Sequence, residues 1–169
     1  MINAIGLENV GIDIFLAEKL PYLIDQRGPV VVNIFGNTLD EYGELAARLD
    51  GTPGIAAIEI NISCPNVKMG GMLFGTDPAM AATAVNAVRQ ATTLPLITKL
   101  TPNVTDITNL ARGAEQGESD GCDAGVTGRA AEQFRVFGFW GLDGIQGGGA
   151  DDQHAHNNAV QSVLLEARS

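Results

Sequence analysis

The stretch Ile55-Ala-Ala-Ile-Glu-Ile-Asn-Ile-Ser63 decides the fold. Read as a strand, it alternates: Ala56, Ile58, Ile60 and Ile62 share one face, and Ala57, Glu59, Asn61 and Ser63 share the other. The first face is wholly apolar, whereas the second becomes polar toward the strand's C-terminal end. Strands of an open parallel sheet are covered on both faces and read as nearly continuous apolar runs. An inner face whose polarity rises toward the C-terminal mouth instead fits a barrel, where the chemistry sits at that mouth.

The neighbouring segments carry the same signal. Pro29 to Phe35 is a β-branched run with Asn33 near its end, and Pro95 to Leu100 is a third strand with Lys99 near its end. Helical patterns alternate with these strands. The first runs from Ile12 to Ile24 despite Pro21. The second opens on a capping box, Thr38 with Glu41, carries the stripe Leu39, Tyr42, Leu45, Ala46 and Leu49, and closes at Gly51. A third is capped by Thr76 or Asp77 with Pro78 in its first turn and runs to about Thr92. A fourth spans Val104 to about Gln116. The expected fold class is therefore α/β, a partial (β/α)8 barrel of about three to four βα units over residues 1–116.

From Gly117 the pattern changes. Residues 117–169 hold ten of the chain's 21 glycines, including Gly147-Gly148-Gly149, and their periodicity is weak. An irregular C-terminal tail is expected, with Phe134 to Trp140 as a candidate strand and Ala159 to Ala167 as a short helix. The abruptness of the change suggests a tail from outside the barrel pattern, such as an out-of-frame extension. A partial barrel also exposes sheet edges, which favours self-association.

Composition excludes several classes. At 169 residues the chain suits one domain with a sizeable core, and 45% of its residues are hydrophobic. A net charge of -10 argues against a nucleic acid or an anionic membrane as partner. No stretch reaches the roughly 18 to 20 apolar residues of a membrane span. The N-terminus has no basic region and apolar core of a secretory signal. Two cysteines, Cys64 and Cys122, make a poor disulfide framework, so the cytoplasm is the expected compartment.

The residues fitted for chemistry gather at the strand ends. Cys64 follows the second strand and precedes Pro65. A thiol with a pKa near 8.5 is mostly protonated at neutral pH, and Lys68 and Lys99 are candidate helpers. The plainer alternative is that Cys64 is a small buried hydrophobe. Lys99 suits an anionic cofactor or substrate, or else an ion pair with Glu59. Asn33 and Asn61 offer the paired donors and acceptors that read a heterocycle's edge, or cap local turns. Gly70-Gly71 marks a bend or a close ligand approach. Asp151-Asp152-Gln-His154-Ala-His156 has too little strand context for a metal site and reads as a solvated loop; no metal is expected.

These residues also carry a family resemblance. Asn61-Ile-Ser-Cys-Pro-Asn-Val-Lys-Met-Gly-Gly71 followed by Phe74-Gly-Thr-Asp-Pro78, with Asn3-Ala-Ile-Gly-Leu-Glu-Asn9 before it and Lys99-Leu-Thr-Pro-Asn-Val104 after it, resembles the class 1B dihydroorotate dehydrogenases, the NAD-linked catalytic subunits. Three motifs stand in the right order at fitting distances over residues 1–116. Class 2 enzymes of the family have serine at the Cys64 position, and class 1A lacks the Lys68-Met-Gly-Gly71 continuation.

The resemblance implies a (β/α)8 barrel with FMN at its C-terminal mouth and oxidation of dihydroorotate to orotate in de novo pyrimidine (UMP) biosynthesis. It implies Cys64 as general base. It also implies Asn3, Ala4, Ile5, Gly6, Leu7 and Asn61 on the substrate, and Asn33, Asn61 and Lys99 on FMN. An electron-transfer subunit with FAD and a 2Fe-2S cluster, passing electrons to NAD, would be the partner. A homo-oligomer is a further expectation. The chain begins inside the family pattern and so reads as a fragment, which leaves two alternatives: a catalytically incompetent piece, or another flavin-dependent pyrimidine oxidoreductase such as a dihydropyrimidine dehydrogenase domain.

Overall fold

The computed structural model describes residues 9–26, 28–63, 74–101 and 103–123, and the backbone of 161–166. Helical structure comes first: α1 is Ile12–Ile14, a π-helical segment covers Phe15–Lys19, and α2 is Leu20–Asp25. The wide turn lies immediately ahead of Pro21, whose ring crowds the carbonyl four residues back and supplies no N–H. Then β1 (Val30–Phe35), α3 (Leu39–Leu49), β2 (Ile55–Asn61), α4 (Pro78–Arg89), β3 (Leu96–Lys99), α5 (Ile107–Gln116) and β4 (Gly121–Asp123) alternate, and β5 is Gln161–Glu166.

The helix starts follow the side chains that precede them. Thr38 Oγ1 accepts from the Glu41 N–H, and the Glu41 carboxylate reaches back to the Asn37 N–H. Asp77 accepts from the N–H groups of Ala79 and Met80, so the cap of α4 is Asp77 rather than Thr76. Asp106 caps α5 in the same way, which places that helix start beyond Val104.

All the sheet pairings are parallel, in the order β4-β3-β2-β1-β5. From β1 to β4, each strand lies beside its predecessor and is reached through a helix. Right-handed crossovers then put every helix on the same side of the sheet. In accord with this, α3 packs on α4 and α4 on α5. The closest approach is at Gly113 of α5, where a Cβ would overlap the Pro78 carbonyl. A doubly wound sheet reverses its order at a switch point and covers both faces. From β1 to β4 this one winds in a single direction, as a barrel wall does, and β5 lies beyond β1 at the other edge.

The two faces separate cleanly. Val30, Val32, Ile34, Ile58, Ile60, Ile62, Leu96 and Leu100 form one buried cluster with Tyr42, Leu45, Leu49, Val85, Val88 and Leu110 of the helices. Their neighbours along the strands, Asn33, Glu59, Asn61 and Lys99, lie on the opposite face: Asn33 pairs with Glu59, and Asn61 with Lys99. Truncating a fully enclosed member such as Ile60 to Ala would cost about 2 to 5 kcal/mol.

Three features differ from the sequence expectation. The β1–β2 register shifts between Val30 and Val31, so Ile55 and Ala57 are paired in succession and Ala56 stands out of the ladder, exposed. Ala56 is therefore no part of the apolar face. The sheet continues past Gln116, with β4 pairing to β3. Finally, the segment expected as a helix from Ala159 to Ala167 contains a strand, β5, which pairs with β1 from Val30–Gln161 to Phe35–Glu166. The open backbone edge of β1 outweighs the weak helical preference of that segment. The candidate strand at Phe134 to Trp140 and Gly147-Gly148-Gly149 lie outside the described residues.

Candidate active-site rim

The C-terminal ends of β1, β2 and β3 bring Asn33, Asn61 and Lys99 together on the face that the helices leave uncovered. Glu59 joins the row of Asn33, and Asp123 of β4 lies in register beside Lys99. The pleat and the strand order alone place these polar residues on one surface.

Asn61 is the best fixed. Its side chain is 5% exposed, and its Oδ1 accepts from Ser63 Oγ at 2.6 Å and from the Ser63 N–H at 3.2 Å. Its backbone carbonyl accepts from the buried Tyr42 hydroxyl at 2.7 Å. Tyr42 was legible only as one member of the α3 stripe. A tyrosine in an apolar stripe needs a partner for its hydroxyl, and that partner is the end of β2. The ring of Tyr42 stands edge-on to Phe35 (centroids 6.5 Å apart) and to Phe74 (6.1 Å).

These contacts clamp both ends of the loop that carries Cys64. Ser63 is tied to Asn61 on the way out. On the return, Phe74 packs on Tyr42, and Gly75 lies so close to the end of β2 that a Cβ there would overlap the Ile62 carbonyl. Ile62 and Gly75, on either side of the segment 64–73, thus lie against each other at one point of the rim. Cys64, Lys68 and Gly70-Gly71 lie outside the described residues, as do Asn3, Ala4, Ile5, Gly6, Leu7 and the segment from Asp151 to His156.

Lys99 is half-buried, and its Nζ donates to Ser63 Oγ at 3.1 Å. The alternative ion pair with Glu59 does not form: among the described residues the ion pairs are Arg48–Asp13 and Arg89–Asp120. Asn33 is 6% exposed, and its Oδ1 is buried with no hydrogen-bond partner among the described residues. Leaving a buried acceptor unpaired costs about 1 to 3 kcal/mol, so such an atom points to a missing donor. Asn61 does cap a local turn, since its Oδ1 accepts the N–H two residues on, whereas Asn33 Oδ1 caps nothing among the described residues.

Cys122, the free cysteine among the described residues, lies on the helix-covered side. Burial first, and then the Glu115 carboxylate, push its thiol up to about 11. It is protonated at any ordinary pH and is no nucleophile. Among the described residues there is no cluster of His, Cys, Asp and Glu fit for a metal, and no helix long and apolar enough to cross a membrane.

A parallel α/β sheet wound in one direction from β1 to β4, with polar groups massed at its C-terminal rim, has the layout of an enzyme barrel wall. Comparison with known proteins makes this specific. The family described as Dihydroorotate dehydrogenase matches residues 1–135, and the chain belongs to that family. The match runs past Gly117 and takes in β4. Proteins named "Dihydroorotate dehydrogenase B (NAD(+)), catalytic subunit" are 58% identical in Citrifermentans bemidjiense, 60% in Geobacter sulfurreducens and 57% in Trichlorobacter lovleyi, each over 120 residues. Those alignments cover 71% of this chain and 39 to 40% of each relative. The chain thus spans about two fifths of the length of the relatives it matches.

Proposed function

We propose that this chain forms one wall of a flavin site for the oxidation of dihydroorotate to orotate in pyrimidine biosynthesis, in keeping with the dihydroorotate dehydrogenase named in its relatives. The observation that carries the reading is the set of unfilled polar groups at the rim: the orphaned Oδ1 of Asn33 and the half-buried ammonium of Lys99. The pyrimidine edge of a flavin alternates N–H and C=O groups. A buried acceptor, a cationic donor and an asparagine amide suit that edge, and the cation suits its partial negative charge.

In this reading Asn33, Asn61 and Lys99 hold FMN, while Asn61 and the segment Asn3 to Leu7 hold the substrate ring. Cys64 takes the proton from substrate C5. Bound FMN supplies the acceptor for the hydride from C6. A placed general base contributes typically about 10²- to 10⁴-fold, which requires Cys64 to sit within hydrogen-bonding reach of that proton. The clamps at Ser63 and Gly75 serve that placement by fixing both ends of its loop. The relatives' designation as catalytic subunits supports a separate electron-transfer partner. By the family resemblance this partner carries FAD and a 2Fe-2S cluster and uses NAD, and the assembly works in the cytoplasm.

Dihydroorotate oxidation with an artificial electron acceptor tests the reading, run with the native chain, Cys64→Ser and Cys64→Ala in the presence of added FMN. The expected result is turnover by the native chain, a fall of about 10²-fold or more in Cys64→Ala, and a pH optimum displaced upward in Cys64→Ser. Equal rates in all three would remove Cys64 from the chemistry. Absence of turnover and of FMN binding by the native chain would overturn the site.

A further inference from the structure

We propose that Ser63 is a positioning residue that orients both the Asn61 amide and the Lys99 ammonium toward the ligand on the face opposite the helices. This deepens the flavin reading and rests on it, because Asn61 and Lys99 are its ligand-facing groups.

The geometry is a relay with a consistent direction. Lys99 Nζ donates to Ser63 Oγ at 3.1 Å, and Ser63 Oγ donates to Asn61 Oδ1 at 2.6 Å. A hydroxyl can accept and donate at once, which a carboxylate, an ammonium or a thioether in that position cannot do equally well. The Ser63 N–H adds a second donor to the same oxygen. An asparagine amide has two nearly isosteric ends, and only its hydrogen bonds decide which end faces where. With Oδ1 engaged twice by Ser63, the NH₂ of Asn61 is the end left to a ligand. It has no other hydrogen-bond partner among the described residues.

The effect on Lys99 is of a different kind. Its ammonium sits on a flexible four-carbon stem, and each conformer lost must be compensated by a contact. One hydrogen bond to Ser63 selects a conformer above the end of β2 while leaving two of the three ammonium protons for a ligand. Ser63 lies immediately before Cys64, so one residue couples the start of the catalytic loop to both ligand-facing groups.

The test compares the native chain with Ser63→Ala and Ser63→Thr by two readouts. The first is competitive labelling of lysine amines without flavin, read by mass spectrometry against Lys19 as internal standard. Ser63→Ala should label at Lys99 several-fold faster than the native chain, and Ser63→Thr, which keeps the hydroxyl, should restore the native rate. The second is quenching of FMN fluorescence, where Ser63→Ala should bind about five- to thirtyfold more weakly and Ser63→Thr close to native. Unchanged labelling and unchanged FMN affinity in Ser63→Ala would overturn the positioning role. A labelling change with no FMN binding by the native chain would leave the relay standing and sink the flavin reading beneath it. Equal thermal midpoints in the three chains confirm that folding is not what is being read.

Discussion

The two ends of the sheet treat their polar groups in opposite ways. At the N-terminal end, where helices return to strands, polar groups are paired among themselves. Asp50 accepts from the Thr92 hydroxyl, the Thr93 N–H and the Thr93 hydroxyl. Arg89 donates to the carbonyls of Thr92 and Leu94 and pairs with Asp120, which in turn accepts from the Leu96 N–H. At the C-terminal rim, Asn33 Oδ1 is orphaned and Lys99 has one described partner. The closed end ties successive αβ connections together, and the open end keeps donors and acceptors for something else. One fold thus separates the residues that hold it together from those that meet a ligand.

Arg89→Ala should sharpen the contrast most. It removes three partners at the closed end, two of them carbonyls that are partly buried, and should lower the unfolding free energy by about 2 to 3 kcal/mol. FMN affinity, measured at a temperature where the chain is folded, should not change. A loss of affinity comparable to the loss of stability would break the division between the two ends.

Asn33→Leu probes the opposite side of the comparison. Replacing an amide whose oxygen is buried and unpaired by an apolar group of similar size removes a desolvation cost. Denaturant unfolding should show the variant about 1 kcal/mol more stable than the native chain. FMN binding should weaken at the same time. A destabilised variant would mean that Asn33 is structural.

Acid unfolding gives the smallest effect. The Thr93 N–H, and then the Thr92 hydroxyl, hold the Asp50 carboxyl below its ordinary value. Because the folded value is depressed, the unfolded chain takes up the proton first. The stabilisation is present above about pH 4 and is lost as pH falls through the folded value. Asp106, held down chiefly by the Thr108 hydroxyl, behaves alike. Asp50→Asn should therefore show a shallower loss of stability below about pH 4 than the native chain. Identical acid limbs would show that the Asp50 contacts form only transiently.

The rim half of this division was legible in the sequence, whereas the closed end built on Asp50, Arg89 and Asp120 was not, and the reasons differ along the chain. The alternation in Ile55 to Ser63 placed Asn61 on the open face because strand pleating leaves little choice. The Thr38–Glu41 capping box fixed the start of α3 by local chemistry. Partners across the fold were less legible. Lys99 read as a partner for an anionic ligand or for Glu59, and its contact with Ser63 was not foreseen, because only the register and side-chain reach select it. Tyr42 and Gly75 carry no sequence mark of their contact with the end of β2, since both contacts are made between elements. The bulge at Ala56 arises from pairing with β1, and β5 from the open edge of β1. Neither strand's own residues encode these features.

If the rim of Asn33, Asn61 and Lys99 receives a flavin, FMN must bind the native chain and its binding must depend on Lys99. Titrating FMN with the native chain and with Lys99→Met, followed by flavin fluorescence, tests it most directly. The expected result is saturable quenching by the native chain and binding about ten- to a hundredfold weaker in Lys99→Met, as loss of a charged hydrogen bond implies, at an unchanged thermal midpoint. Superimposable curves for the two chains, or no quenching by the native one, would contradict it.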